Sequence, residues 1–231
     1  MSFAPAKWMV LGDSTVTREL GAKVSGLNRA MGFGLRVPET WLLGDGELNF
    51  AELKEVVPAI SRPIHCPCII RTSYGSNWTR ADEVSGIGRS EFVTNDDDWN
   101  RLMSEILDSN PSPHCVFIQP AIKAVCSGFI QVSDFQIMGQ VARARIGLES
   151  QSIGRMAKGQ KGDFTGWFLS GRTAILAREA DFSILGDDDF RAIVALEELN
   201  LEDSIEIEWV FDGMQIWIVQ YQSFHEDTIS S

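Results

Sequence analysis

Ile205-Glu206-Ile207-Glu208-Trp209-Val210-Phe211 and Gln215-Ile216-Trp217-Ile218-Val219-Gln220-Tyr221 flank Asp212-Gly213. Two runs rich in β-branched and aromatic residues around Asp-Gly are the strongest hairpin signal in the chain. Residues two apart on a strand share a face, so Glu206 and Glu208 lie side by side. Carboxylates so placed repel unless they are solvated or bridged by a cation, and Trp209, Trp217 and Ile218 argue against a widely solvated face. Glutamate and the amide oxygen of Gln220 are hard donors suited to Mg²⁺. A two-residue loop would pair Phe211 with Met214 and turn Gln220 away from the glutamates. A three-residue loop, Asp212-Gly213-Met214, would pair Phe211 with Gln215 and Glu206 with Gln220. A shared metal site therefore predicts the longer loop, with Gly213 or its neighbour at positive φ. It also predicts Ile207, Trp209 and Val219 on the other face.

Outward from this hairpin the chain reads as α+β, with antiparallel hairpins late in the sequence. Trp167–Leu169 and Thr173–Leu176 flank Ser170-Gly171-Arg172, a second hairpin signal, and Gly128–Val132 is expected to pair with Gln140–Ile146. Ile69–Thr72 and Val116–Ile122 read as short buried strands. Trp99, Leu102, Met103, Ile106 and Leu107 recur at helical spacing after Asp96-Asp97-Asp98. A similar pattern follows Asp187-Asp188-Asp189, and both acidic clusters read as helix starts that complement the macrodipole. Gly21 to Met31 is a further helix, ending near Gly32.

The 231 residues suffice for a sizeable core, and 44% hydrophobic with 23% charged residues excludes disorder. The apolar runs are too short to span a membrane as helices. Met1 to Lys7 reads as no secretory signal, so a cytoplasmic location with reduced Cys66, Cys68, Cys115 and Cys126 is expected. Cys66-Pro67-Cys68 departs from the usual spacing of paired zinc ligands. Twenty Lys and Arg stand against 32 Asp and Glu, a net charge of −12. Non-specific nucleic-acid binding rests on phosphate neutralisation and is not expected here. A chain this acidic must gather its cations to hold a nucleotide.

Two segments offer such cations. Gly21-Ala22-Lys23 is a small-residue turn opening a helix, where free backbone N–H groups and an ammonium would meet a phosphate. Arg71 leaves an apolar strand and enters Thr72-Ser73-Tyr74-Gly75-Ser76, a loop rich in hydroxyls that continues to Ser85-Gly86 and is able to fold over phosphates.

Five segments, in order, resemble the nucleotide-binding domain of phosphoenolpyruvate synthase and pyruvate phosphate dikinase. Gly21-Ala22-Lys23-Val24-Ser25-Gly26-Leu27 resembles that family's GGK-x-x-x-L, and Leu35 to Leu43 resembles L-x-VP-x-GF-x-L. Ile70-Arg71-Thr72-Ser73 through Ser85-Gly86 resembles VRSS…FAG, with the same interval from arginine to glycine. Ile118-Gln119-Pro120-Ala121-Ile122 with Ser127-Gly128 resembles VQ-x-MV…SGV. Glu206-Ile207-Glu208-Trp209 through Ile218-Val219-Gln220 resembles DIEW…I-VQ-x-RP. The resemblance covers residues 8 to 222. It implies an ATP-grasp fold with ATP between two α+β lobes: residues 1–112, then 113–222, with 223–231 a tail of the single domain. It also implies cofactors ATP and Mg²⁺. Lys23 and Arg71 would serve the phosphates and catalysis. Thr72, Ser73, Gly86 and Glu206 would join them in binding the nucleotide. Gln119, Pro120, Ala121 and Ile122 would hold adenine, and Glu208 and Gln220 the metal.

The departures are specific. Asn77 and Trp78 replace an acidic pair, Val84 replaces the aromatic of FAG, and Gln222 replaces the arginine of VQ-x-RP. That arginine acts on the phosphates in transfer, and glutamine keeps the hydrogen bonds without the charge. His65, His114 and His225 lie in no phosphohistidine-like segment. The resemblance therefore implies Mg-dependent phosphotransfer from ATP to a histidine on another chain or to a small molecule. The alternatives are a degenerate module that binds nucleotide without turnover, and an ATP-grasp carboxylate ligase.

Overall fold

A computed structural model describes residues 8–12, 20–43, 62–75, 88–110, 113–133, 136–143, 164–169, 191, 195–196, 199 and 205–223. Gly86 and the rest of the hydroxyl-rich loop from Ser76, the second acidic cluster, Thr173–Leu176 and residues 224–231 lie outside them. The chain divides into two compact units, Met1–Asn28 with Pro38–Ala121, and Arg29–Val37 with Ile122–Ser231. Each is described by itself.

In the first unit, β1 (Trp8–Val10) precedes α1 (Ala22–Gly32), whose last turn belongs to the second unit. Then follow β2 (Trp41–Leu43), β3 (Cys68–Ser73), β4 (Ser90–Val93), α2 (Asp96–Leu107) and β5 (Cys115–Pro120). The five strands form one antiparallel sheet in the order β1-β2-β5-β3-β4. α2 buries the apolar face read from its spacing, Trp99, Leu102, Met103, Ile106 and Leu107. These pack on Cys68, Ile70, Val93, Val116 and Ile118, and each large apolar side chain removed from water contributes about 1.5–3 kcal/mol. Asn95 caps the helix, its side chain accepting from the Asp98 N–H, and Asp96, Asp97 and Asp98 fill the first turn.

The second unit holds β6 (Cys126–Ser133), β7 (Gln136–Arg143), β8 (Phe164–Leu169), β9 (Ile205–Phe211) and β10 (Ile216–Ser223). They form an antiparallel sheet in the order β10-β9-β6-β7-β8. Its core gathers Cys126, Ile130, Ile205, Ile207, Trp209, Phe211, Ile216, Ile218 and Tyr221 on one face. Ala30 and Leu35 join this cluster, and the Arg36 carbonyl accepts from the Ile218 N–H at 2.7 Å. Those contacts tie residues 29–37 to β10.

Three expectations change. A lobe boundary at residue 112 would give β5 to the C-terminal lobe, yet β5 is hydrogen-bonded between β2 and β3, and the division falls after Ala121. β5 also stops at Pro120 rather than Ile122. β7 starts four residues earlier than expected, with Gly139 inside the ladder between Ile130 and Gly166. Among the described residues no helix is long and apolar enough to cross a membrane.

Candidate functional site

Alternation along β3 sends Cys68 and Ile70 toward α2 and Ile69, Arg71 and Ser73 to the other face. Register then sets Phe117 across from Arg71 and Gln119 across from Ile69. Arg71, Ser73 and Gln119 thus share one face of the first sheet, and all three are buried, Arg71 to 3% exposure. Thr72 falls on the opposite side by alternation, and its Oγ1 accepts from the Arg89 N–H at 2.9 Å. The sheet therefore does not bring Thr72 together with Arg71 and Ser73.

The start of α1 meets the end of β3. The Ala22 N–H donates to the Tyr74 carbonyl at 2.7 Å, and the Val24 N–H to Ser73 Oγ at 3.4 Å. Gly21 makes this approach possible. It sits at φ +88°, and a Cβ there would lie 2.3 Å from Tyr74 O and 2.4 Å from Ser73 Oγ. Two of the first-turn amides expected to point at an anion are therefore taken, one by Ser73 at the end of β3 and one by Tyr74 just beyond it. Lys23 extends beside Gly88, where a Cβ would come within 3.1 Å of its Nζ.

Gln119 is oriented by a short chain of bonds. Thr40 Oγ1 donates to the Pro38 carbonyl at 2.8 Å, so it can only accept from Gln119 Nε2, at 2.9 Å. The amide oxygen of Gln119 is buried, with no partner among the described residues. The β2–β5 ladder ends at Trp41 and Ile118, leaving Gln119 and Pro120 beyond it, and Ala121 N–H donates to the Pro67 carbonyl at 3.1 Å. The chain passes from one unit to the other between Ala121 and Ile122.

In the second unit the hairpin differs from both registers considered. Phe211 pairs with Ile216, so four residues, 212–215, make the connection. Asp212 is the cause. Its Oδ1 accepts from the N–H groups of Met214 at 2.8 Å and Gln215 at 2.9 Å, and its Oδ2 from Trp217 Nε1 at 2.8 Å. Burial pushes the Asp212 carboxyl up, but these bonds outweigh it and hold the group below its ordinary value. Gly213 has φ +96°, as a turn with a left-handed residue requires.

With that connection alone, a regular ladder would set Val219 across from Glu208 and turn Gln220 to the core face. Instead the register shifts between Ile218 and Gln220, and Gln220 pairs with Glu208 and Gln222 with Glu206. Val219 is the extra residue of a β-bulge. It packs with Val210 and Ala124 on the glutamate side of the sheet, not on the core face expected for it. Glu206, Glu208, Gln220 and Gln222 consequently line one face, with Gln220 8% exposed. Glu206 faces Gln222 rather than Gln220.

Carboxylate and amide oxygens on neighbouring strands fit a hard divalent cation such as Mg²⁺. The four cysteines are free thiols, and among the described residues no three His, Cys, Asp or Glu side chains converge to hold a metal.

No protein-family model matches the chain, and no curated protein matches it by sequence. Among solved structures it is similar to phosphoribosylamine–glycine ligase from Thermotoga maritima, at 14% identity and a TM-score of 0.46, covering 94% of this chain and 53% of that one. It is also similar to a RimK domain ATP-grasp protein from Sphaerobacter thermophilus, at 15% identity and TM-score 0.43, over 89% and 59%. A third is D-alanine–D-alanine ligase from Bacillus anthracis, at 13% identity and TM-score 0.42, over 88% and 56%. The chain spans between 53% and 59% of the length of these three proteins. Likenesses at such scores decide neither substrate nor activity.

Proposed function

We propose that the chain adopts an ATP-grasp fold and binds ATP with Mg²⁺, as the nucleotide-binding part of a phosphotransferase of the phosphoenolpyruvate synthase type. The observation that carries this reading is the shift after Ile218, because it gives Gln220 the same face as Glu208 despite a loop that would otherwise separate them. Bulges that re-aim one side chain are over-represented beside active sites. A second support is the common face of Arg71, Ser73 and Gln119 in a chain of net charge −12.

In this reading Lys23 and Arg71 contact the phosphates, and Gln119 to Ile122 receive the adenine. Glu208 and Gln220 hold the cation, with Glu206 beside them. Mg²⁺, when bound, offsets phosphate charge and relieves repulsion between the glutamates. Arg71, already buried among ordered strands, loses little freedom on meeting an anion, and its planar fork suits paired phosphate oxygens. The acceptor is a histidine on a separate phosphohistidine-domain chain or a small molecule.

Calorimetric titration of ATP with and without Mg²⁺ tests the binding. Replacing Lys23 or Arg71 by Ala should weaken it by about 1.5–3 kcal/mol, and unchanged affinity in both variants sinks the assignment. Product analysis tests the chemistry. AMP supports the dikinase type, ADP formed with a carboxylate acceptor supports a ligase, and binding without turnover supports a degenerate module. Gln222 favours this last reading as the second choice, since it sits across from Glu206 where the family's arginine would stand.

A further inference from the structure

Cys66 and Cys68 take no part in the nucleotide reading. They flank Pro67 where the chain enters β3. Cys66 and Pro67 lie in a bend rather than an extended strand, and a single residue separates the two thiols. Arg62 stands over the pair. Its Nη1 donates to Cys66 Sγ, while its Nη2 is paired with Asp96 Oδ1 at the start of α2. The guanidinium is therefore held in place from the helix side.

The two sulfurs differ in their surroundings. Cys66 is half-buried and packs at the margin of the first core, whereas Cys68 is a full member of that core. Burial, with the neighbouring Cys66 adding to it, pushes the Cys68 thiol up to about 11. Cys115 is pushed up to about 12 by burial, and Cys126 is buried too. Cys66 is thus the cysteine that combines access to solvent with a cationic donor on its sulfur. A partly exposed sulfur beside a cationic donor is the setting in which cysteines react.

We propose that Cys66 and Cys68 form a peroxide-oxidisable dithiol, with Cys66 the attacked sulfur and Cys68 the resolving thiol. In the first step the Cys66 thiolate attacks one oxygen of hydrogen peroxide. The O–O bond breaks, Cys66 becomes a sulfenic acid, and hydroxide leaves with the proton that the thiol gave up, as water. In the second step the Cys68 sulfur attacks the sulfenic sulfur. An S–S bond forms, the S–O bond breaks, and the hydroxyl leaves with the Cys68 proton as a second water. The peroxide is reduced by two electrons, which the two thiols supply. Arg62 stabilises the attacked thiolate, and Cys68 lies too deep to meet peroxide first.

The test uses the full chain, reduced, freed of reductant and exposed to about equimolar hydrogen peroxide. Intact mass spectrometry should show the loss of two hydrogens, and peptide mapping should place the cross-link within one peptide holding both cysteines. Cys66→Ser should abolish the loss. Cys68→Ser should stop at the sulfenic acid, captured on residue 66 by dimedone. Arg62→Gln should slow the wild-type reaction about tenfold. Circular dichroism checks that each variant is folded, and Cys66→Ala serves if the serine is not tolerated. An unchanged mass in the folded wild-type chain, a bridge to Cys115 or Cys126, or dimedone capture at Cys68 would each overturn the proposal.

Discussion

α2 begins under a cap supplied by its own neighbours. The Asp98 N–H donates to Asn95 Oδ1 at 2.9 Å, and the Thr94 N–H donates back to Asp98 Oδ2 at 3.1 Å. α1 begins under a cap supplied from far along the chain. Its Val24 N–H reaches Ser73, 49 positions away, and its Ala22 N–H reaches Tyr74. Both helices answer the same need, since first-turn amides lack partners within the helix. The local solution leaves a signature in the sequence, a polar residue ahead of three acids. The remote one leaves only Gly21, a residue that also suits an anion-binding turn. The difference shows why a glycine-opened helix is ambiguous on paper: the same free amides serve a ligand or a strand end.

That contrast can be broken at either helix. Gly21→Ala should be the most damaging change, about 3 kcal/mol, because it adds a strained φ to a collision with a backbone carbonyl. A shift of the denaturant midpoint without change of slope would measure it. Asn95→Ala removes a local cap and should cost about 1 kcal/mol in the same assay. Ser73→Ala should cost less, about 0.5 kcal/mol, since its bond to Val24 is long and Tyr74 still holds Ala22. An Asn95→Ala effect exceeding that of Gly21→Ala would reverse the ranking of local and remote ties.

The smallest expected effect concerns Asp212, a third local tie. Its folded value lies below the ordinary carboxylate value, so its contribution is fully present above about pH 4. It fades as pH falls through the folded value, when the protonated group accepts less well from Met214, Gln215 and Trp217. Acid titration followed by the Trp217 indole N–H resonance should show that bond loosening below about pH 4, and Asp212→Asn should flatten the response.

Legibility in the sequence followed the range of the interactions. The face of α2 was readable because five apolar residues recur at helical spacing, and the hairpin was readable from Asp212-Gly213. Its length was not. The Asp212 carboxylate binds the N–H groups of Met214 and Gln215, drawing both out of the ladder that a two-residue turn would have kept. The bulge at Val219 carries no local signal, since valine suits either face of a strand. Only the demand that Glu208 and Gln220 serve one cation pointed to a register that rejoins them, and that demand came from the chemistry of the side chains, not from the backbone signal. The place of β5 beside β2 and β3 was hidden for another reason: Cys115–Pro120 pairs with residues more than 40 positions earlier, which no window of periodicity spans. Arg71 and Gln119 were singled out by motif, but their common face follows from that same distant pairing.

The bulge also ranks the deletions that β10 can survive. Removing the codon for Val219 would let Gln220 follow Ile218 in a regular ladder, and every residue on either side would keep its present partner on β9. The loss would be confined to one valine packed against Val210 and Ala124. Removing Tyr221 instead would exchange inside for outside for the residues beyond it. Among related chains of differing length, a single gap in this hairpin therefore belongs at position 219, and an alignment that sets it at 221 would assign the wrong face to the residue across from Glu206.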